Sequence, residues 1–211
     1  MATEATPDQT GAQALVSALA DCGVRACFAN PGTSEMHLVT ALDGETRIRS
    51  VLCLFEGVAT GAADGFARIT GEPAMTLLHL GPGYLNGGAN IHNARRANSP
   101  VVNVVGDHAT GHRKYDAPLA SNIVGLAAPN SLWIKSVEAS SDAASLAREA
   151  WVASFGPAPG PVSLVLPADS AWATAGETSV VDPVRPTLRS PQASQISFAA
   201  EALAKRRNRR F

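Results

Sequence analysis

The chain has 211 residues, of which 45% are hydrophobic and 17% are charged, and its formal net charge is −1. This composition is typical of a globular protein with a substantial core, and it excludes an intrinsically disordered chain. The small net charge gives no general attraction to nucleic acid or to an anionic membrane, and no apolar run approaches the length that spans a bilayer.

The start of the chain and its cysteines bear on where the protein works. Residues 1–10 are polar and lack the basic start and apolar core of a secretory signal peptide. Cys22, Cys27 and Cys53 lie in apolar surroundings without metal-ligand spacing, so we expect buried, reduced thiols. These features together predict a cytoplasmic protein.

Short apolar runs alternate with helix-like segments about six times along the chain. Thr10 is the predicted N-cap of the first helix, and Gly23 is suited to the left-handed position that ends it. The predicted strands are residues 24–29, 48–55, 74–80, 101–105, 133–137 and 162–166. The helices between them include residues 56–70, about 85–98 and 122–127, and one that Ser141 and Asp142 cap. Because most strands are continuously apolar, we predict an α/β fold: a six-stranded, mostly parallel sheet with helices on both faces.

The composition changes after Pro167. Residues 168–191 are rich in Ala, Thr, Ser and Pro without periodicity, which is typical of a linker. We therefore predict a first domain over residues 1–171, a linker over 172–193 and, over 194–211, the truncated start of a middle domain or a basic tail. The basic cluster at 205–211 is a weak nucleic-acid signal, because the rest of the chain offers no supporting basic surface.

The polar and glycine-rich residues fall at strand ends. In an open parallel sheet, ligands bind beyond the carboxyl ends of the strands. These ends carry Asn30–Thr33, Phe55–Glu56, His79–Gly83 and Gly106–His108. The dinucleotide fingerprint, the phosphate loop and the serine-hydrolase elbow are all absent, and no cluster has zinc spacing, so no metal site is predicted.

Glu56 stands where an apolar run of strand length stops and a helix rich in Gly and Ala begins. A helix N-terminus favours the carboxylate, whereas burial beside the strand disfavours the charge. A carboxyl group held between opposing effects is a candidate for proton transfer. On this local pattern alone, a glutamate that only stabilises the helix dipole is the simpler interpretation.

Three motifs in combination point further: Asn30-Pro31-Gly32, Glu56 followed by Asp64-Gly65-Phe66-Ala67-Arg68, and His79 followed by Gly81-Pro82-Gly83 and Asn86. Together they resemble the N-terminal pyrimidine-binding domain of thiamine diphosphate enzymes of the acetolactate synthase and benzoylformate decarboxylase group. The resemblance covers residues 10 to about 171. It implies that Glu56 hydrogen-bonds N1′ of the cofactor's aminopyrimidine and favours the imino tautomer, whose 4′-nitrogen removes the C2 proton of the thiazolium.

The resemblance also implies roles for other residues, with thiamine diphosphate as the cofactor. The implied catalytic residues are Glu56 and His79, the cofactor-binding residues are Asn30, Pro31, Gly32, Glu56 and Asn86, and the substrate-facing residues are Thr33, His79, His108 and His112. Thr33 stands where benzoylformate decarboxylase has a substrate-contacting serine, whereas residues 114–118 resemble the loop of synthase-like members. The 2-keto acid, and the choice between decarboxylation and carboligation, therefore stay open. The alternatives for the histidines are a hydrogen-bonded structural role for His79 and simple solvation for His108 and His112.

One part of the family's site is missing from this sequence. The diphosphate and its Mg²⁺ are held in that family by a C-terminal domain with a G-D-G…N-N motif, which the chain lacks. We therefore expect the Mg²⁺ from a missing domain or a partner, and we predict that the chain alone neither binds the cofactor tightly nor turns over a keto acid.

Three alternatives for the whole protein remain. The chain is an N-terminal piece of a longer lyase or synthase, a separate subunit of a two-chain keto-acid decarboxylase, or a non-catalytic interaction module. In the first two, a homo-oligomer or a partner chain completes the site. The small residues of the helix after Glu56 suit close packing against such a partner or, equally, against this chain's own sheet.

Overall fold

Six strands form one sheet in the order β2-β1-β3-β4-β6-β5, and every neighbouring pair is parallel. The computed structural model describes residues 9–156, 158–176 and 190–207. The strands are β1 (Ala26–Asn30), β2 (Arg49–Leu52), β3 (Ala74–His79), β4 (Val101–Asp107), β5 (Ile134–Ser136) and β6 (Pro161–Pro167). The helices are α1 (Gly11–Asp21), α2 (Met36–Gly44), α3 (Glu56–Thr70), α4 (Leu80–Ala97), α5 (Ile123–Ala127), α6 (Ala143–Ser154), α7 (Ala168–Trp172) and α8 (Ala193–Arg207). The predicted α/β fold with a six-stranded parallel sheet is confirmed.

Helices cover both faces of the sheet because its central strands are apolar on both sides. The side chains of β4 and β6 are buried along their whole lengths. The larger core cluster joins β1, β3, β4 and β6 to α1, α2 and α6 on one face. Two smaller clusters join the sheet to α3, α4 and α5 on the other. The helices that carry the candidate site, α3 and α4, therefore pack side by side on the second face.

The predicted ends of α1 are confirmed. Thr10 and Gln13 form a capping box, in which the Gln13 N–H donates to Thr10 Oγ1 and the Thr10 N–H donates to Gln13 Oε1. Gly23 has a φ of +91° and turns the chain toward β1.

Two element boundaries differ from the predicted ones near Glu56. β2 ends at Leu52, not at Phe55, because it lies at the edge of the sheet beside β1 and its last register partner there is Ala29. The helix predicted to start near Leu85 starts at Leu80, so Gly81, Pro82 and Gly83 form its first turn instead of a loop. Proline is tolerated there because the N–H groups in the first turn of a helix make no intrahelical hydrogen bond, so its lack of an N–H costs nothing. Leu80 itself is buried with a φ of +49°.

Two further boundaries differ in the second half of the chain. Asp142 does precede α6, but its side chain caps nothing, and residues 140–142 form a 3-10 turn. Within the predicted linker, α7 forms directly after β6, and the chain then returns to α1. There the Gly11 N–H donates to Ala173 O at 2.9 Å, and the Ala175 N–H donates to Gln9 O at 2.7 Å. The contacts of the first domain therefore extend beyond residue 171.

The predicted last helix is confirmed as α8, whose described side chains at 193–205 are exposed. Linker residues 177–189 and the end of the basic cluster, 208–211, lie outside the described residues, as do residues 1–8. In the part of the chain that the structure describes, none of the helices combines the length and apolar character needed to cross a membrane. Burial raises the pKa of the Cys22 and Cys27 thiols to about 11 and about 12, as expected for buried thiols, and Cys53 is buried as well.

Candidate active site

The carboxyl ends of β1, β3 and β4 bring the candidate residues to one edge of the sheet. The register pairs Asn30 of β1 with Leu78 of β3, and His79 of β3 with Gly106 of β4. The 3-10 turn Thr33–Glu35 follows β1 and α4 follows β3, whereas α3 follows β2, the other neighbour of β1. Residues that are far apart in the chain therefore meet at this edge.

Glu56 is the first residue of α3 and is buried, with an exposed fraction of 8%. The Asn86 side-chain amide donates to its Oε2 at 3.0 Å. The other carboxylate oxygen of Glu56, Oε1, faces Gly83: a Cβ built on Gly83 would lie 3.3 Å from it. The structure thus brings together Glu56 and Asn86, and both contacts of the carboxylate described here come from α4.

His79 ends β3, and its Nδ1 lies 2.7 Å from Glu35 Oε2. With Glu35 ionised, Nδ1–H is the donor, so Nε2 of the neutral imidazole remains as an acceptor. This bond is the structural role considered above for His79. Because it fixes the tautomer, it also suits a histidine that exchanges a proton through Nε2.

Glu35 was missed in the sequence analysis. Its exposed fraction is 0%, and it also accepts the Gly32 N–H at 2.7 Å, while its Oε1 is buried without a hydrogen-bond partner among the described residues. Burial raises the pKa of Glu35, and the bonds from Gly32 and His79 oppose that rise only in part. The signal that could have found it is its spacing, because an acid three residues after Gly32 stands where a glutamate reaches back to the start of a helix.

Two glycines leave the space that the Glu35–His79 pair occupies. A Cβ on Gly32 would lie 2.4 Å from the His79 ring, and a Cβ on Gly106 would lie 1.7 Å from Glu35 Oε1. Neither distance is possible without a shift of the buried pair.

We expect Gly106→Ala to lower the free energy of unfolding by about 1–3 kcal/mol, because the added methyl group displaces Glu35 in a closed core. Gly65→Ala is the matched control: it lies in α3 on the surface, its Cβ would meet nothing within 4 Å, and alanine should gain up to about 1 kcal/mol there. Urea unfolding of the two variants measures both effects. Equal stabilities would contradict the tight packing around Glu35.

His79 and Glu56 flank the same glycine. A Cβ on Gly83 would lie 3.4 Å from His79 Cβ as well as 3.3 Å from Glu56 Oε1. The two predicted catalytic side chains therefore border one small volume over the first turn of α4. One is a carboxyl group held by a neutral amide, and the other is an imidazole held by a buried carboxyl group. Such a pair can hold and move protons at two separate points of a ligand.

The other residues of the first loop have structural contacts. Asn30 donates its side-chain amide to Cys53 O at 2.7 Å and so ties β1 to the end of β2. Pro31 lines an apolar groove of about 330 Å³ beside the edge strand, together with Val51 and Leu52. Thr33 is exposed at the start of the 3-10 turn. The cofactor and substrate roles of these residues stay predictions.

His108 and His112 lie together on the loop after β4, with ring centroids 5.1 Å apart. Arg113, on the same loop, pairs with Asp107 at 2.7 Å, and the loop borders a polar cleft of about 520 Å³. Within the described residues, no hydrogen bond or ring contact joins these two histidines to Glu56 or His79. The structure therefore places them in a separate group, and their role toward a substrate stays a prediction.

Exposed apolar side chains surround the start of α3. The exposed fractions are 91% for Leu54, 50% for Phe55 and 57% for Val58, and Leu85, beside Asn86 on α4, is exposed by 60%. We call these four residues the apolar rim. An exposed apolar group of side chains such as this one is typical of a surface that another protein segment or a ligand covers.

Comparison with known proteins gives a family for this arrangement. The model of the thiamine pyrophosphate enzyme N-terminal TPP-binding domain matches residues 9–126. The IlvX protein of Mycobacterium tuberculosis, whose name classes it with acetolactate synthase large subunits, is 50% identical over 204 residues, which cover 91% of this chain and 39% of that protein.

Two decarboxylases are also similar. Benzoylformate decarboxylase of Pseudomonas aeruginosa is 31% identical over 182 residues, covering 86% of this chain and 33% of that protein. The solved structure of a thiamine diphosphate-dependent 4-hydroxybenzoylformate decarboxylase from Rhodococcus jostii superposes with a TM-score of 0.82 at 25% identity, covering 93% of this chain and 38% of that one. The chain thus spans less than two fifths of the length of each of these relatives.

Proposed function

Because the chain belongs to the thiamine pyrophosphate enzymes through their N-terminal TPP-binding domain, we propose that it forms the pyrimidine side of a thiamine diphosphate site acting on 2-keto acids. The observation that carries this proposal is Glu56, a buried carboxylate at the start of α3 that Asn86 holds and the apolar rim borders. In this role Glu56 hydrogen-bonds the aminopyrimidine ring and shifts its protonation.

The residues present fit the pyrimidine end of the cofactor. A flat aromatic ring needs a narrow opening, and Gly83 leaves space beside Glu56 Oε1 where a side chain would fill it. When bound, thiamine diphosphate supplies the thiazolium that stabilises a carbanion next to a former keto group. The chain's own contribution is to hold a proton at Glu56, to orient the carboxylate through Asn86, and to present His79 Nε2 to the reacting ligand.

The names of the relatives support a class of substrate. Those described above are named for acetolactate synthesis and for decarboxylation of benzoylformates. This supports a 2-keto acid, with either decarboxylation or carboligation as the outcome. The proposed substrate-facing residues are Thr33, His79, His108 and His112, and the proposed cofactor-binding residues are Asn30, Pro31, Gly32, Glu56 and Asn86.

We propose that the other half of the site comes from a further domain or a partner chain that holds the diphosphate and Mg²⁺. The relatives are more than twice as long as the matched region, and the apolar rim is a surface suited to such a cover. A second copy of the chain or of a longer form of it, or a separate partner, would supply that cover. The buried free thiols support the prediction of a cytoplasmic protein.

Calorimetry of the 211-residue chain with thiamine diphosphate and Mg²⁺ tests whether its cofactor site is incomplete. We expect no tight binding, because the charged end of the cofactor lacks its anchor. A dissociation constant of about one micromolar or below would contradict this prediction. Thiamine without the diphosphate is the matched ligand control, since binding to the chain alone should not distinguish the two.

The neighbouring DNA is first searched for a diphosphate-binding domain, and the function itself is tested with the chain joined to, or mixed with, such a domain. We expect thiamine diphosphate-dependent turnover of an aliphatic or an aromatic 2-keto acid. Domains in one reading frame would identify a longer enzyme, and two genes would identify a two-chain enzyme. Assembly without any turnover would favour the non-catalytic interaction module.

A further inference from the structure

One face of α4 is turned toward the first turn of α3. Gly83, Asn86, Gly87 and Asn90 occur at positions i, i+3, i+4 and i+7 of the helix, so they share that face. Gly83 and Asn86 contact Glu56, as described above. The remaining two residues of the face contact α3 at the residues that follow Glu56.

Asn90 binds the backbone next to Glu56. Its side-chain amide donates to Gly57 O at 2.7 Å, and Asn93 orients that amide by donating to Asn90 Oδ1 at 3.4 Å. Asn86 and Asn90, one helical turn apart, therefore hold adjacent residues of α3. Asn86 holds the carboxylate of Glu56, and Asn90 holds the peptide unit directly after it.

Glycines set the distance at which these bonds form. A Cβ on Gly87 would lie 2.7 Å from Thr60 Cγ2, and a Cβ on Gly61 would lie 3.0 Å from Asn90 Nδ2. The Thr60 hydroxyl lies 3.0 Å from Gly87 O and 2.9 Å from Glu56 O, so it can bond across to α4 or back within α3. The small residues of α3 thus pack against α4 in this chain, and the two helices meet in one register.

We infer that Asn90 is a positioning residue for Glu56: by anchoring the Gly57 carbonyl it fixes the rotation of the first turn of α3, and so the place of the carboxylate. The part of this inference that concerns catalysis rests on the proposed function. A proton-transfer group must be held within about 0.5 Å of its working position. The bond from Asn86 reaches only the flexible side chain of Glu56, whereas the bond from Asn90 holds the backbone of the first turn of α3 directly.

Asn90→Ala tests the inference, with His92→Ala as the control, because His92 lies on the exposed part of the same helix. Alanine favours helices, so both variants should fold. In the 211-residue chain, hydrogen exchange of the Asn86 side-chain amide reports the bond to Glu56. We expect Asn90→Ala to speed this exchange several-fold and His92→Ala to change it little. Asn90→Asp keeps the size and removes the donor, so it should act like Asn90→Ala.

In the assembled holoenzyme, Asn90→Ala should lower kcat about 10-fold with little change in KM, because misplacement by a fraction of an ångström acts on the chemical step. Combined with Glu56→Gln, it should cause no further loss. If Asn90→Ala matches His92→Ala in both amide exchange and kcat, or if its effect adds fully to that of Glu56→Gln, the inference is wrong. Full activity of Glu56→Gln alone would instead overturn the proposed function, while the amide exchange would still decide the role of Asn90.

Discussion

Glu56→Gln should lower the turnover of a 2-keto acid by the assembled holoenzyme about 10²- to 10⁴-fold, while leaving the fold unchanged. Glutamine has nearly the same shape and keeps an oxygen that can accept from Asn86 at the position of Oε2. It cannot give up or take a proton, so the shift of protonation on the aminopyrimidine is lost. The measurement is kcat with saturating cofactor, together with a thermal unfolding curve.

Glu72→Gln is the control for this experiment, because Glu72 lies just beyond the C-terminal end of α3, at the opposite end of that helix from Glu56. We expect it to retain most of the activity. Retained activity in Glu56→Gln itself would mean that Glu56 is only a helix-dipole carboxylate, the simpler interpretation of its local pattern.

Glu35→Gln should produce two opposite effects, a loss of activity and a gain of stability at neutral and alkaline pH. Burial raises the pKa of Glu35 above its value in the unfolded chain. The folded state therefore keeps this proton to higher pH than the unfolded state, and wild-type stability falls as pH rises from the unfolded pKa toward the folded one. Glutamine does not titrate, so it avoids that loss, which is worth about 1.4 kcal/mol for each tenfold difference in proton affinity.

Urea unfolding of wild type and Glu35→Gln at pH 4, 6 and 8 measures the stability effect. The advantage of the variant should be smallest at pH 4 and grow with pH, whereas kcat should fall about 10-fold or more because a neutral amide no longer supports charge on His79. Exposed Glu149→Gln is a control with the opposite sign, because hydrogen bonds from Lys135 and Trp133 lower the pKa of Glu149. An advantage of Glu35→Gln that shrinks as pH rises would contradict the raised pKa of Glu35.

The sheet could be predicted from the sequence because β3, β4 and β6 are buried on both faces and are mostly apolar, with one buried polar residue inside each: Thr76, Asn103 and Ser163. Boundaries were harder where tertiary contacts decide them. The length of β2 depends on where its neighbour β1 ends, and the chain continues from His79 directly into α4 because the segment 80–83 is packed between Glu56 and the loop at Ser121. The local sequence Gly81-Pro82-Gly83 predicts a loop, although here it forms a helical turn.

Only those residues of the candidate site that belong to local sequence motifs could be predicted. Glu56 and Asn86 both belong to the motifs that resemble thiamine diphosphate enzymes, and the structure brings them within hydrogen-bond distance. Asn90 has no such motif, and the spacing of Glu35 from Gly32 indicates a capping glutamate but not its pairing with His79. Glu35 looks like any acid at the start of a helix, and Asn90 like any polar residue on a helix surface. What distinguishes them is the partner each one finds across the fold, His79 and Gly57, and sequence spacing does not contain that information.

The left-handed turn at Leu80 has a consequence for how substrate preference can change. His79 belongs to the sheet, Gly83 supports Glu56, and one buried residue in a costly backbone conformation stands at their junction. Because only this residue joins the strand to the helix, inserting or deleting a residue there would displace His79 and Glu56 relative to each other. Under the proposed function, a change of substrate preference would therefore require substitutions at exposed positions such as Thr33 and the loop with His112, while the strand-to-helix junction keeps its length.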